Sequence, residues 1–176
     1  MRLFFALEPT GQDKLAIEYW RNKALPCFKK SVPPANFHIT LAFLGQTTSA
    51  QLDALIQEVD KLSLPPIFAV HLSNVTYWPK PKVLCLACEK TARAHSTLAH
   101  TLNNAGLSAG LSLHKREYHP HLTLARKCPE NPPAPIIEPS FSMDFSEFHL
   151  FESVSTTKGV MYQSRCRWSL PGNMNI

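Results

Sequence analysis

The chain has 176 residues, 44% of them hydrophobic, and a net charge of +5. That length suits one domain or a pair of small lobes, and the apolar content excludes a disordered chain. The modest basic excess favours an anionic partner, and five scattered cysteines, an odd number, fit free thiols better than a disulfide framework.

Residues 3–7 form an unbroken apolar run, which reads as a buried strand. The run is too short for a signal-peptide core or a membrane span, and nothing later approaches spanning length, so the expected location is cytoplasmic. Pro9 ends the strand. Thr10 or Gly11 then opens a helix reaching about Leu25, with Leu15, Ala16, Tyr19 and Trp20 expected inside. Pro26, Pro33 and Pro34 mark a loop that holds Lys29 and Lys30. A strand carrying Phe37-His38-Ile39-Thr40-Leu41 follows, and Gly45 closes it. Thr48 and Gln51 have capping-box spacing ahead of a helix with Leu52, Leu55, Ile56 and Val59 on one face. Pro65 and Pro66 stop that helix.

Residues 67–78 look extended, and Pro79-Lys80-Pro81-Lys82 is a turn able to close a hairpin with residues 83–88. There the pattern restarts. Residues 83–87 resemble 3–7, and Thr91 begins a helix with Ala94, Leu98 and Leu102 inward, ending near Gly106. A basic loop with His114, Lys115 and Arg116 leads into His119-Pro120-His121-Leu122-Thr123-Leu124. Residues 129–139 contain five prolines and read as a surface loop. Residues 142–152 alternate Met143, Phe145 and Glu147 with Phe148 and Leu150, and residues 160–168 form a last strand bearing Arg165 and Arg167. The expected fold is α+β. Two pseudo-symmetric lobes each pack an antiparallel-type sheet on helices, and the central cleft between them carries both motif strands. Residues 1–176 are expected to be a single bilobed domain, an internal duplication whose copies start near residues 3 and 83.

The repeated element is His-x-Thr in an alternating strand. Side chains two apart point the same way, so His38 and Thr40 share one face, as do His121 and Thr123. Ile39, Leu41, Leu122 and Leu124 then face the core. Two imidazoles and two hydroxyls converging on one phosphate suit phosphodiester cleavage. Histidine can act as either acid or base because its ordinary pKa lies near neutrality. The hydroxyls can donate to the non-bridging oxygens. No metal or other cofactor is expected, and no phosphate-binding Gly-x-x-x-x-Gly-Lys-Ser/Thr loop is present.

Three segments carry a resemblance. They are residues 2–7, residues 37–45, and Tyr118-His119-Pro120-His121-Leu122-Thr123-Leu124-Ala125-Arg126. Together they are similar to the two-histidine phosphoesterase superfamily, and within it to the bacterial RNA 2′,3′-cyclic phosphodiesterases, also called 2′-5′ RNA ligases. The resemblance runs through nearly the whole chain in order and spacing. It implies His38 as general acid and His121 as general base, so that water opens the cyclic phosphate at O3′ and leaves a 2′-phosphate. It also implies the reverse 2′-5′ ligation, action on RNA ends, and contacts from Phe43 and Arg126 to the terminal nucleotide. Each of these two residues lies five positions after its histidine. An odd offset belongs on the opposite face of a regular strand, so each strand must twist, bulge or end first.

Plainer readings stand beside these. Thr40 and Thr123 can be strand-preferring residues, Phe43 a core aromatic, and Arg126 a surface charge. His119 either supports His121 from the same face or is simply exposed. His71, His95, His100, His114 and His149 read as structural. Cys85 and Cys88 read as a buried strand pair, not a redox or zinc motif. Lys80, Lys82, Lys115, Arg116, Arg165 and Arg167 can rim an RNA backbone. A monomer without an obligate protein partner is expected. The alternatives are a hydrolase of small cyclic nucleotides or 2′-5′ oligonucleotides, a non-catalytic RNA-binding module, and a metal-dependent hydrolase using His38, His119 and His121.

Overall fold

Apolar strands and capped helices set the framework. In the computed structural model, which describes residues 1–113, 117–157 and 159–172, the chain begins with β1 (Arg2–Leu7) and α1 (Gly11–Ala24). Next come β2 (Ile39–Gln46), α2 (Ser49–Asp60), β3 (Phe68–Leu72), β4 (Asn74–Trp78) and β5 (Val83–Ala87). The rest is α3 (Arg93–Ser108), β6 (His121–Arg126), β7 (Phe141–Phe145), β8 (Glu147–Thr156) and β9 (Gly159–Ser169). Thr10 and Thr48 each accept a hydrogen bond from the backbone three residues on, and Asp13 and Gln51 return it, so both of the first helices start in a capping box.

Seven strands form one antiparallel sheet in the order β4-β5-β6-β2-β1-β8-β9, while β3 and β7 pair separately. The order explains the composition of β1. It lies between β2 and β8, and Leu3 through Leu7 are all buried. The two lobes meet where β2 and β6 run side by side, and that seam holds one ladder pair, Ile39 with Leu122. Both residues are fully buried. Helix α3 packs on β2 and α2, with Leu98, Ala99 and Leu102 inward.

Several boundaries differ from expectation. Residues 67–78 are two strands in different sheets. β3 pairs with β7, while β4 makes the expected hairpin with β5 through the 79–82 turn. Residues 142–152 likewise split at Ser146 into β7 and β8. Period-two alternation survives such a break, so the sequence pattern does not reveal it. Strand β2 continues through Gly45, whose φ is +73°, to Gln46. The third helix starts two residues later than expected and runs past Gly106.

The inner face of α1 also differs. Leu15 and Tyr19 are 64% and 68% exposed, and the buried stripe is Ile17, Trp20, Arg21 and Ala24. That stripe has regular helical spacing. A charged residue at its third position hides it from an apolar pattern. His114, Lys115 and Arg116 lie outside the described residues. All five cysteines are free thiols, with Cys85 fully buried and Cys88 just past the end of β5.

Candidate active site

Strand parity brings the duplicated residues to one face at the seam. His38 stands immediately before β2 and His121 opens β6. Both imidazoles are held the same way. His38 Nδ1 lies 2.7 Å from the Asn36 carbonyl, and His121 Nδ1 lies 2.8 Å from the His119 carbonyl. A carbonyl only accepts, so each Nδ1 carries the hydrogen, and each Nε2 keeps its lone pair as the basic nitrogen. His119 thus supports His121 through its backbone. Its own ring is exposed and sits 3.5 Å from Glu117.

Aromatic rings fix the other side of each imidazole. His38 packs against Phe4 (5.0 Å between centroids) and edge-on to Tyr162 (4.9 Å). His121 packs edge-on to Trp78 at 4.4 Å. Sequence reasoning missed all three partners. Tyr162 arrives from β9, at the far end of the chain, and no local pattern ties it to the first motif.

Burial governs the protonation of both rings. Desolvation, opposed by the Asn36 carbonyl and reinforced by Arg126, His121 and Lys14, lowers His38 to about 4. His121 is lowered in the same way, by burial first and then by Arg126 and His119 against its backbone bond. At neutral pH both rings are therefore neutral bases.

The hydroxyls share this face. Thr40 is 6% exposed and Thr123 is half-buried, with the Cys85 thiol beside the Thr123 hydroxyl. Burial pushes that thiol up to about 12, so it is inert at neutral pH.

Paired bulges resolve the odd offset of Phe43 and Arg126. Between β1 and β2 the register runs Ala6–Thr40 and then Phe5–Ala42, which skips Leu41. Between β5 and β6 it runs Cys85–Thr123 and then Leu84–Ala125, which skips Leu124. The extra residue falls at the equivalent position of each copy, and it restores the next side chains to the histidine face. Phe43 accordingly lies 6.3 Å from Phe4, beside His38, and is 64% exposed. Arg126 is exposed, with its charge acting on both imidazoles.

The proposed basic rim is less open than the sequence suggests. Arg165 lies 3.6 Å from Glu152, and Arg167 lies 3.7 Å from Glu147. Among the described residues no group of three His, Cys, Asp or Glu side chains is arranged to hold a metal ion. None of the described helices is long and apolar enough to cross a membrane.

The other histidines have structural partners. His71 meets Ser142, His100 meets Asn104, and His149 lies between Ser164 and Glu147. His95 is 1% exposed, bonded to the Tyr118 hydroxyl and stacked on Phe68.

Comparison with known proteins agrees with this geometry. Residues 13–85 match the family model described as LigT like Phosphoesterase. The RNA 2′,3′-cyclic phosphodiesterase of Escherichia coli K12 is 29% identical over 170 residues, 96% of each chain. The Bacillus subtilis protein of the same name is 33% identical over 124 residues, 68% of this chain and 67% of its own. The crystal structure of E. coli LigT complexed with 3′-AMP superposes with a TM-score of 0.89 at 30% identity, covering 96% of this chain and 97% of that one. Motif, fold and sequence similarity converge, and the chain belongs to the LigT-like phosphoesterase family.

Proposed function

We propose that this chain is a hydrolase that opens RNA 2′,3′-cyclic phosphate ends to 2′-phosphomonoesters. The observation that carries this reading is the matched pair of imidazoles, each with Nδ1 pinned by a carbonyl two residues back and Nε2 free. His121 takes a proton from water as the water oxygen attacks phosphorus. The P–O3′ bond breaks, and His38 gives its proton to the departing O3′. The Thr40 and Thr123 hydroxyls donate to the non-bridging oxygens. The acid must be protonated, which burial disfavours at His38. The anionic phosphate offsets this by stabilising the imidazolium when substrate binds. Running the roles in reverse gives 2′-5′ ligation.

The two halves read as a duplicated unit within one bilobed domain. The mirrored strand order β5-β6-β2-β1 and the equivalent bulges support this.

The deciding experiment incubates chelator-treated protein with an oligoribonucleotide ending in a 2′,3′-cyclic phosphate, and with a cyclic mononucleotide for comparison. A product keeping phosphate on O2′, formed faster from the oligonucleotide, is expected. Product phosphate on O3′, or activity that only zinc restores, would overturn the mechanism.

Phe43 is placed to stack on the terminal base. Stacking of this kind is worth roughly 1–3 kcal/mol per base. Phe43→Ala should therefore raise KM about tenfold or more with kcat little changed, in steady-state kinetics on the cyclic-ended oligonucleotide. An unchanged KM would return Phe43 to the status of a surface residue.

A further inference from the structure

Arg21 is a buried cation in a helix that supplies no motif residue. It is 5% exposed, and its guanidinium reaches three segments around the cleft. Arg21 Nη1 donates to the Val32 carbonyl at 2.6 Å and to the Leu124 carbonyl at 3.1 Å. Its Cζ lies 5.4 Å from the ring centroid of Phe37, the residue before His38. Glu18, at 3.7 Å, is its carboxylate neighbour. Burying a guanidinium is expensive, so this position implies strong compensation from the groups it holds.

Leu124 is the bulged residue of β6, and its carbonyl also accepts from the Val32 backbone at 2.9 Å. The bulge turns Arg126 onto the histidine face. The opposite end of the seam has a matching bond. The Tyr118 hydroxyl donates to the carbonyl of Thr40, beside the β2 bulge, at 3.1 Å and accepts from His95 Nε2 at 2.7 Å. Between these two anchors β2 and β6 share a single ladder pair. Backbone bonds from residues 30–32 to β6 (Val32 N–H to the Leu124 carbonyl, Arg126 N–H to the Lys30 carbonyl) and these side-chain bonds together supplement that single pair. Arg21 ties the 30–32 segment and the Leu124 bulge to Phe37.

We propose that Arg21 is a positioning residue for catalysis: its guanidinium locks the Leu124 bulge against the Phe37 approach and thereby aims Arg126 at the phosphate between His38 and His121. The role rests on the phosphodiesterase reading above.

The test is Arg21→Met, which removes the donors and keeps an apolar stem of similar length. kcat/KM on cyclic-ended RNA should fall at least tenfold. The NMR titration midpoints of His38 and His121 should move up, because Arg126 would no longer face them. The other charges near them, Lys14 and His119, are unchanged. On an Arg126→Ala background the substitution should cost no more than about twofold further. If Arg21→Met does not fold, Arg21→Lys supplies the same readouts. An ammonium cannot lie flat on Phe37 while bridging two carbonyls, so a smaller loss with raised midpoints is expected. A folded variant with lower Tm but wild-type kcat/KM and midpoints would overturn the proposal, as would losses that multiply with those of Arg126→Ala. A wild-type protein inactive on cyclic-ended RNA would instead defeat the phosphodiesterase reading, and the titration midpoints would still test the positioning.

Discussion

His38→Ala and His121→Ala should each lower kcat on cyclic-ended RNA by about 100- to 10,000-fold, the usual worth of one positioned proton transfer. The fold should survive both. Each ring makes one backbone bond and packs on aromatic neighbours, Phe4 and Tyr162 for His38 and Trp78 for His121, so each variant should lose about 1–3 kcal/mol of stability, the usual cost of a single truncation. The double variant should be scarcely slower than the worse single one, because acid and base act in one concerted displacement. Single-turnover kinetics with parallel thermal melts checks all of this. Near-normal rate in either single variant would refute the paired mechanism. Comparable losses of rate and of melting temperature would make the histidines structural.

Much of this site was legible in the chain because its signal is short-range. His-x-Thr places two side chains on one face by strand parity alone, and the repetition of the motif is visible without any fold. The Thr48 cap and the 79–82 turn depend on local backbone chemistry, and they too were readable, while the first helix was placed to within a residue without its Thr10–Asp13 capping box. What was not readable depends on distant segments. The odd offset of Phe43 and Arg126 demanded an irregularity, yet a bulge at Leu41 or Leu124 leaves no mark in composition. It shows only in the register against β1 and β5. Tyr162 and Trp78 reach the imidazoles through sheet topology. Arg21 defeated the pattern reading of α1, since a charged residue at a core position looks like an outward face. His95 was read as structural, and it is buried against Phe68, but its bond to Tyr118 ties it to the carbonyl of Thr40.

Buried neutral histidines also make stability sensitive to acid. His95 and His38 are each held down to about 4, in both cases chiefly by desolvation. In the unfolded chain both titrate near 6.5. Above that pH neither state binds these protons, and there is no pH dependence from this source. Between 6.5 and 4 the unfolded chain takes up protons that the native state refuses, so stability falls as the pH drops. Each site contributes a slope approaching 1.4 kcal/mol per pH unit and a total of about 3 kcal/mol. His121, lowered in the same direction, adds to the effect. Against a typical domain stability of about 5–15 kcal/mol, that is a large share of the total, so stability should fall steeply between about pH 6 and pH 4. Urea unfolding at steps from pH 7.5 to 4.5 measures the slope directly. His95→Gln keeps a donor for the Tyr118 hydroxyl and removes the titration, so its slope should be shallower by about 1.4 kcal/mol per pH unit at its steepest. Equal slopes in the two proteins would mean that His95 takes up its proton equally in the folded and unfolded chains, and that burial does not hold it neutral.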